Sequence, residues 1–127
     1  MKRPFVYVCS RYSEGDNRIE DIRRAGRYCR QLYELGFTPI APQILYPQFM
    51  DSAIPEEKRD FREMSLLLLR RCSALVMCDR EPDCGMLELI QTAQRLHMLC
   101  TTLDSLLAIQ IMVQNGKPPI EPTIKES

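Results

Sequence analysis

Along this chain short apolar, β-branched runs alternate with stretches whose apolar positions recur at three and four, and each switch marks a boundary between elements. The first strong run is PFVYVCS at 4–10, β-branched and aromatic, which turns polar at Ser10, Arg11, Tyr12, Ser13, Glu14, Gly15 and Asp16. The pattern is that of a strand ending in a loop. From Asn17 to Leu35 the apolar positions Ile19, Ile22, Ala25, Tyr28, Cys29, Leu32, Tyr33 and Leu35 recur at three and four, with Asp16 or Asn17 as N-cap and Gly36 as C-cap. That spacing predicts a helix of about five turns. Phe37 to Ala41 reads as a short second strand, after which Pro42, Pro47 and Pro55 break the chain into a long loop carrying Gln43, Tyr46 and Asp51.

A second helix is expected from Pro55 to Arg71, very apolar in MSLLLLRRC, feeding ALVMCD at 74–79. That run has the continuous hydrophobicity of a central parallel strand. Arg80, Glu81, Pro82 and Asp83 form the next loop, and a helix runs from Gly85 through Leu96. MLCTT at 98–102 is a fourth strand and LDSLLAIQIMVQNG at 103–116 a last helix, capped by Gly116. Parallel strands need crossover connections, and four strands alternating with four helices place those helices on both faces of one sheet. The expected fold class is therefore α/β, a flavodoxin-like (Rossmann-like) three-layer sandwich on a parallel sheet of about four strands. One domain spans 1–116, and the proline-spaced segment 117–127 reads as an irregular tail. In such sheets ligands bind beyond the carboxyl ends of the strands, where strand order reverses, which directs attention to the loops after the first and third strands.

Composition narrows the function classes. The chain has 127 residues, 45% apolar, with 17 basic and 17 acidic side chains, a balance that supports a packed core and argues against disorder. Without a surplus of Lys and Arg, neither nucleic acid nor an anionic membrane is an expected partner. The six cysteines stand singly, mostly within apolar runs, with no CxxC and no signal peptide, so they read as reduced, mostly buried, cytoplasmic thiols. No metal site is expected, since His97 is the only histidine and no cysteine pair has the short spacing of a structural zinc site. No apolar run approaches the roughly 20 residues of a membrane span.

The two selected loops hold Ser10, Tyr12, Gly15, Asp16 and Asn17 on one side and Asp79, Asp83, Gly85 and Glu88 on the other. Such a pocket is expected to be acidic, suited to hydroxyl-rich ligands and opposed to a phosphate cradle of lysines. Gly15, Asp16 and Asn17 also fit an ordinary turn with an N-cap, and Asp83 and Glu88 fit a helix start complementing its dipole. Cys84 lies just ahead of a helix but has no histidine beside it, and His97 reads as a solvated turn residue. The last helix is apolar on more than one face through Leu106, Leu107, Ile109, Ile111 and Val113, an excess that points to a partner.

The stretches VYVCSRYSEGDNRIEDIRRAGRYCRQLYELGFTPIAPQILYPQFMD, ALVMCD and DCGMLELIQTAQRLHM resemble the short bacterial and phage-encoded domains of the nucleoside 2-deoxyribosyltransferase-like superfamily, over about residues 4 to 103. In those relatives a Ser-x-Tyr element, Gly-Asp and a helix-opening Asn follow the first strand, matched here by Ser10, Tyr12, Gly15, Asp16 and Asn17, with Arg11 where a proline is usual. Their Ala-Pro-His and Leu-Tyr-Pro-x-Phe elements correspond to APQILYPQF, with Gln43 in place of the histidine and Tyr46 as the tyrosine. Alignment on Gly85, Met86, Ile90 and Ala93 puts Leu89 where family enzymes carry a nucleophilic glutamate. The nearest carboxylate, Glu88, is one residue early and turned by about 100° around the helix.

The resemblance implies a nucleoside or nucleotide ligand, no cofactor, and a homo-oligomer of two or more chains. An active site of this type works by retaining double displacement at an N-glycosidic bond, as a deoxyribosyltransferase or nucleoside hydrolase. It casts Glu88, Asp83 or Asp16 as a relocated nucleophile, Tyr12 as the group that orients it or stacks near the sugar, and Asp79 or Asp16 as contacts to base or hydroxyls. Asp83, in the place of a family serine, favours a free 5′-hydroxyl over a 5′-phosphate. The alternatives are a non-catalytic module that binds a nucleotide-type metabolite or signal, and an inhibitor-like protein-interaction domain on the same scaffold.

Overall fold

The computed structural model describes residues 3–13 and 15–114. The elements run β1 (Phe5–Cys9), α1 (Arg18–Glu34), β2 (Thr38–Ile40), α2 (Pro42–Leu45), a 3₁₀ turn (Tyr46–Gln48), α3 (Pro55–Arg70), β3 (Ala74–Met77), α4 (Cys84–Arg95), β4 (Leu99–Thr102) and α5 (Leu103–Gln114). The four strands form one all-parallel sheet in the order β2-β1-β3-β4, with Tyr7 of β1 level with Ile40 on one side and Leu75 on the other.

Alternation along the strands sorts the core into two layers. Val6, Val8, Ala74 and Val76 face α1 and α5, packing on Leu32 and Leu103. Tyr7, Cys9 and Leu75 face α3 and α4, packing on Leu69, Met86 and Ala93. This is the expected α/β three-layer arrangement, with β1 and β3 covered on both faces.

Two helix ends show how local sequence shapes the turns. Gly36, at φ +99°, follows α1 in the left-handed conformation, and its N–H donates to Tyr33 O at 3.0 Å while Phe37 N–H donates to Leu32 O at 3.1 Å. This paired termination is the Schellman arrangement. His97 does the same after α4 at φ 56°, with Met98 N–H donating to Ala93 O at 2.9 Å. The exposed histidine thus occupies a position that glycine would hold with less strain.

One expectation needs correction. The segment after β2 is not loop throughout, because Pro42 initiates α2 from its first position and Tyr46–Gln48 continues as a 3₁₀ turn. A proline at the first helical position gives up an N–H that has no partner there anyway, so it starts a helix as readily as it ends one. The expected Gly116 cap and the tail 117–127 lie outside the described residues. No helix among the described residues is long and apolar enough to cross a membrane.

Candidate functional site

The chain leaves β1 toward β2 and returns on the other side as β3, so the loops after β1 and β3 diverge at the carboxyl edge of the sheet. Two aspartates of the second loop hold the first. Arg11 N–H donates to Asp79 Oδ2 at 2.7 Å, and Tyr12 N–H donates to Asp83 Oδ2 at 3.4 Å. Beyond this seam the two faces of the sheet carry hollows of different character.

The larger is a cleft of about 800 Å³ on the α3 and α4 face. That volume lies within the range of ~300–1,000 Å³ typical of small-molecule sites. Its floor includes Tyr7, Gln43, Ser65 and Met86, all buried. Burial pushes the Tyr7 phenol upward, opposed by its hydrogen bond with Ser65. Gln43 spends its amide N–H groups on Val8 O at 2.9 Å and Ser10 Oγ at 2.8 Å, tying α2 to the end of β1. Tyr12 stands edge-on to Phe61 with ring centroids 5.8 Å apart, and Phe61 is backed in turn by buried Tyr46 at 5.7 Å.

The α4 wall begins with Asp83, whose Oδ1 caps the helix by accepting Met86 N–H at 2.8 Å. Cys84, Gly85, Met86, Glu88 and Leu89 line the cleft beyond it. Both carboxylate oxygens of Glu88 are held by Arg62 of α3, Nε lying 3.0 Å from Oε1 and 2.8 Å from Oε2, with Nη2 also donating to Oε2. Leu89 packs against the core cluster around Leu69 and Met86 while lining the same wall.

On the opposite face lies a hollow of about 670 Å³ beside Asp79. Asp79 is buried, and its Oδ1 accepts the Tyr28 hydroxyl at 2.6 Å and Arg24 Nε at 3.1 Å while Oδ2 takes Arg11 N–H. Arg24 also donates to Asp21 Oδ1 at 2.7 Å, and Asp21 Oδ2 accepts Ser13 N–H at 2.8 Å. Burial and the bond to Asp79 push the Tyr28 phenol up to about 12. At Asp21 burial acts to raise the carboxyl, but hydrogen bonds from Ser13 and Arg24 prevail and hold it below its ordinary value.

The structure therefore divides the expected site residues. Ser10, Tyr12, Gln43, Asp83, Gly85, Met86 and Glu88 meet in the cleft. Arg11 and Asp79 belong to the hollow on the other face. Gly15, Asp16 and Asn17 are exposed in the turn ahead of α1, with Gly15 at φ +99° and Asn17 at the N-cap without a side-chain cap bond. The expectation of an acidic pocket is corrected, because Lys58, Arg59 and Arg62 of α3 line the cleft opposite Asp83 and Glu88. Sequence reasoning passed over these cations. The available signal was their spacing, since Pro55, Lys58, Arg59, Arg62, Ser65 and Leu66 share one helical stripe.

The expectation of mostly buried thiols also changes. Cys9 and Cys72 are buried, Cys29 and Cys78 intermediate, and Cys84 and Cys100 exposed, all six free. Burial, reinforced by the charges of Asp83 and Asp79, pushes Cys9 up to about 12, and burial pushes Cys72 to about 11. Neither is a ready nucleophile. Among the described residues no cluster of His, Cys, Asp and Glu has the arrangement to hold a metal ion.

The fold and cleft define a parallel α/β domain with a ligand-sized site at the point where strand order reverses. Residues 4–103 match the family described as a domain of unknown function (DUF7768), and the chain belongs to that family. The match ends where α5 begins. No curated protein matches the chain.

Proposed function

We propose that this chain is a nucleoside- or nucleotide-binding domain whose cleft has the layout of an N-glycosidic-bond enzyme with its nucleophile displaced. The observation that carries the reading is the state of Glu88. Its carboxylate lies in the cleft, but both oxygens are engaged by Arg62, while Leu89 fills the position that the resemblance assigns to a catalytic glutamate. A carboxylate in such a fork is a poor nucleophile, because attack must first break charge-assisted hydrogen bonds. Binding is supported by an aromatic and apolar wall, formed by Tyr12, Phe61 and Leu66, facing the polar groups of Ser10 and Asp83.

The test incubates the purified protein with nucleosides, deoxynucleosides and their monophosphates, following free base by chromatography and binding by thermal shift. A stabilising shift without base release is expected. Base release that disappears in Glu88→Ala would establish glycosyl-transfer or hydrolytic chemistry instead. No shift and no release would overturn the reading in favour of a protein-interaction domain.

A homo-oligomer built on the α5 side belongs to the same reading. Ile109, Ile111 and Val113 of α5 are exposed, as are Leu99 and Cys100 of β4, an edge strand without charge or proline. Unprotected edges and apolar faces of this kind favour association. Light scattering on the same samples checks it, a monomer at micromolar concentration being the contrary result.

A further inference from the structure

We infer that Arg62 is the anion anchor of the cleft, and that Glu88 is an internal stand-in which a phosphate monoester on the ligand displaces. The inference rests on the nucleotide-type reading above and deepens it by specifying the charged end of the ligand.

The cleft-facing stripe of α3 changes character along the helix, from exposed Lys58, Arg59 and Arg62 near the start to buried Ser65 and half-buried Leu66 beside Tyr7. The α3 wall of the cleft therefore carries cations toward the mouth and no charge toward the floor. A ligand matching this gradient carries its anion outward and an uncharged, hydrogen-bonding body inward.

The geometry of the ion pair points the same way. Arg62 meets Glu88 through Nε and Nη2, the two-pronged fork that a phosphate also matches. Glu88 thus occupies a place that suits an incoming anion. Exchange is easy because both partners are in contact with solvent, the Arg62 side chain being 57% and that of Glu88 38% exposed. Exposed ion pairs contribute little, so replacing a monoanionic carboxylate by a more highly charged phosphate meets little resistance. The half-buried Arg24 on the opposite face offers no such exchange, fixed as it is between Asp21 and Asp79.

Asp83 opposes this little, because its Oδ1 is committed to Met86 N–H and its Oδ2 to Tyr12 N–H. The preference for an uncharged 5′ end drawn from Asp83 therefore yields to the Arg62 fork. Exchange would also release the Glu88 carboxylate into the cleft, coupling anion binding to its availability.

Calorimetric titration of the full chain at matched ionic strength tests the inference, with inorganic phosphate, adenosine, deoxyadenosine and the 5′-monophosphates of both as probes. The native protein should bind a monophosphate at least about tenfold more tightly than its nucleoside. Arg62→Gln should reduce the monophosphate to the level of the nucleoside and leave the nucleoside unchanged. Glu88→Gln, which removes the competitor, should tighten the monophosphate several-fold. Equal affinities in the native protein, or an Arg62→Gln variant that weakens nucleoside and monophosphate alike, would overturn the inference while leaving nucleoside binding in place. Arg62-dependent binding of inorganic phosphate without nucleoside binding would support the anchor and overturn the nucleotide-type reading. Melting curves of both variants control for folding.

Discussion

The two hollows at the carboxyl edge of this sheet share a boundary, the loop after β1, yet their carboxylates do opposite work. On the α1 and α5 face Asp79 is buried and accepts three hydrogen bonds, from a backbone N–H, a guanidinium and a phenol. On the α3 and α4 face Glu88 is open to solvent along one side and relies on one arginine. Burial makes the first set obligatory, since a buried polar group deprived of its partner keeps its desolvation penalty. Exposure makes the second exchangeable, because water replaces what is lost. A polar cluster at a strand end is thus scaffold or site according to how completely its partners are consumed.

The largest effect that tests this contrast is on stability. Asp79→Ala removes a partner from Arg11 N–H, Arg24 and Tyr28 together and should cost about 3 kcal/mol in urea unfolding. Glu88→Gln should leave the urea midpoint where it is. A loss below about 1 kcal/mol for Asp79→Ala would erase the distinction between the hollows.

Acid should separate them next. The Asp21 carboxyl is held below its ordinary value because the hydrogen bonds from Ser13 and Arg24 outweigh the opposing effect of burial. A depressed folded value means that the stabilisation is complete above the unfolded value of about 3.9 and is lost as pH falls through the lower folded one. The stability difference between native protein and Asp21→Asn should therefore be constant near neutrality and shrink below about pH 4. A difference independent of pH down to the acid transition would contradict the role given to Asp21.

The smallest effect concerns reactivity. Cys84 is exposed on the cleft wall, whereas Cys78 lines the opposite hollow with its thiol pushed far upward by burial. Native-state labelling with a thiol reagent, mapped by mass spectrometry, should modify Cys84 quickly and Cys78 slowly. A cleft-bound nucleotide should protect Cys84 and leave exposed Cys100 unaffected. Protection of both, or of neither, would place the ligand elsewhere.

Much of the fold was legible because its signals are local. The run ending at Cys9, the three-and-four spacing from Ile19 to Leu35, and Gly36 at a left-handed turn each arise from neighbouring residues. The helical start at Pro42 was missed because proline can open a helix or close one, and the choice is made by the packing around it. Tyr12, Asp83 and Glu88 line one cleft, as their places on loops and a helix start at the same sheet edge suggest. Asp79 was assigned to the same pocket, and it belongs to the other face. Position in a loop does not say to which side of the sheet a side chain turns.

By itself the sequence determined the alternation of strands and helices, the parallel sheet, and the edge at which polar residues gather. These follow from periodic burial and from the short reach of turn and cap chemistry. Only the tertiary structure decided that Arg62 grips Glu88 across 26 positions of chain, that α3 brings its cations to the cleft, and that Asp79 is fully satisfied among Arg11, Arg24 and Tyr28. Such pairings depend on how helices pack across a sheet, and that packing brings together residues whose local patterns carry no record of one another.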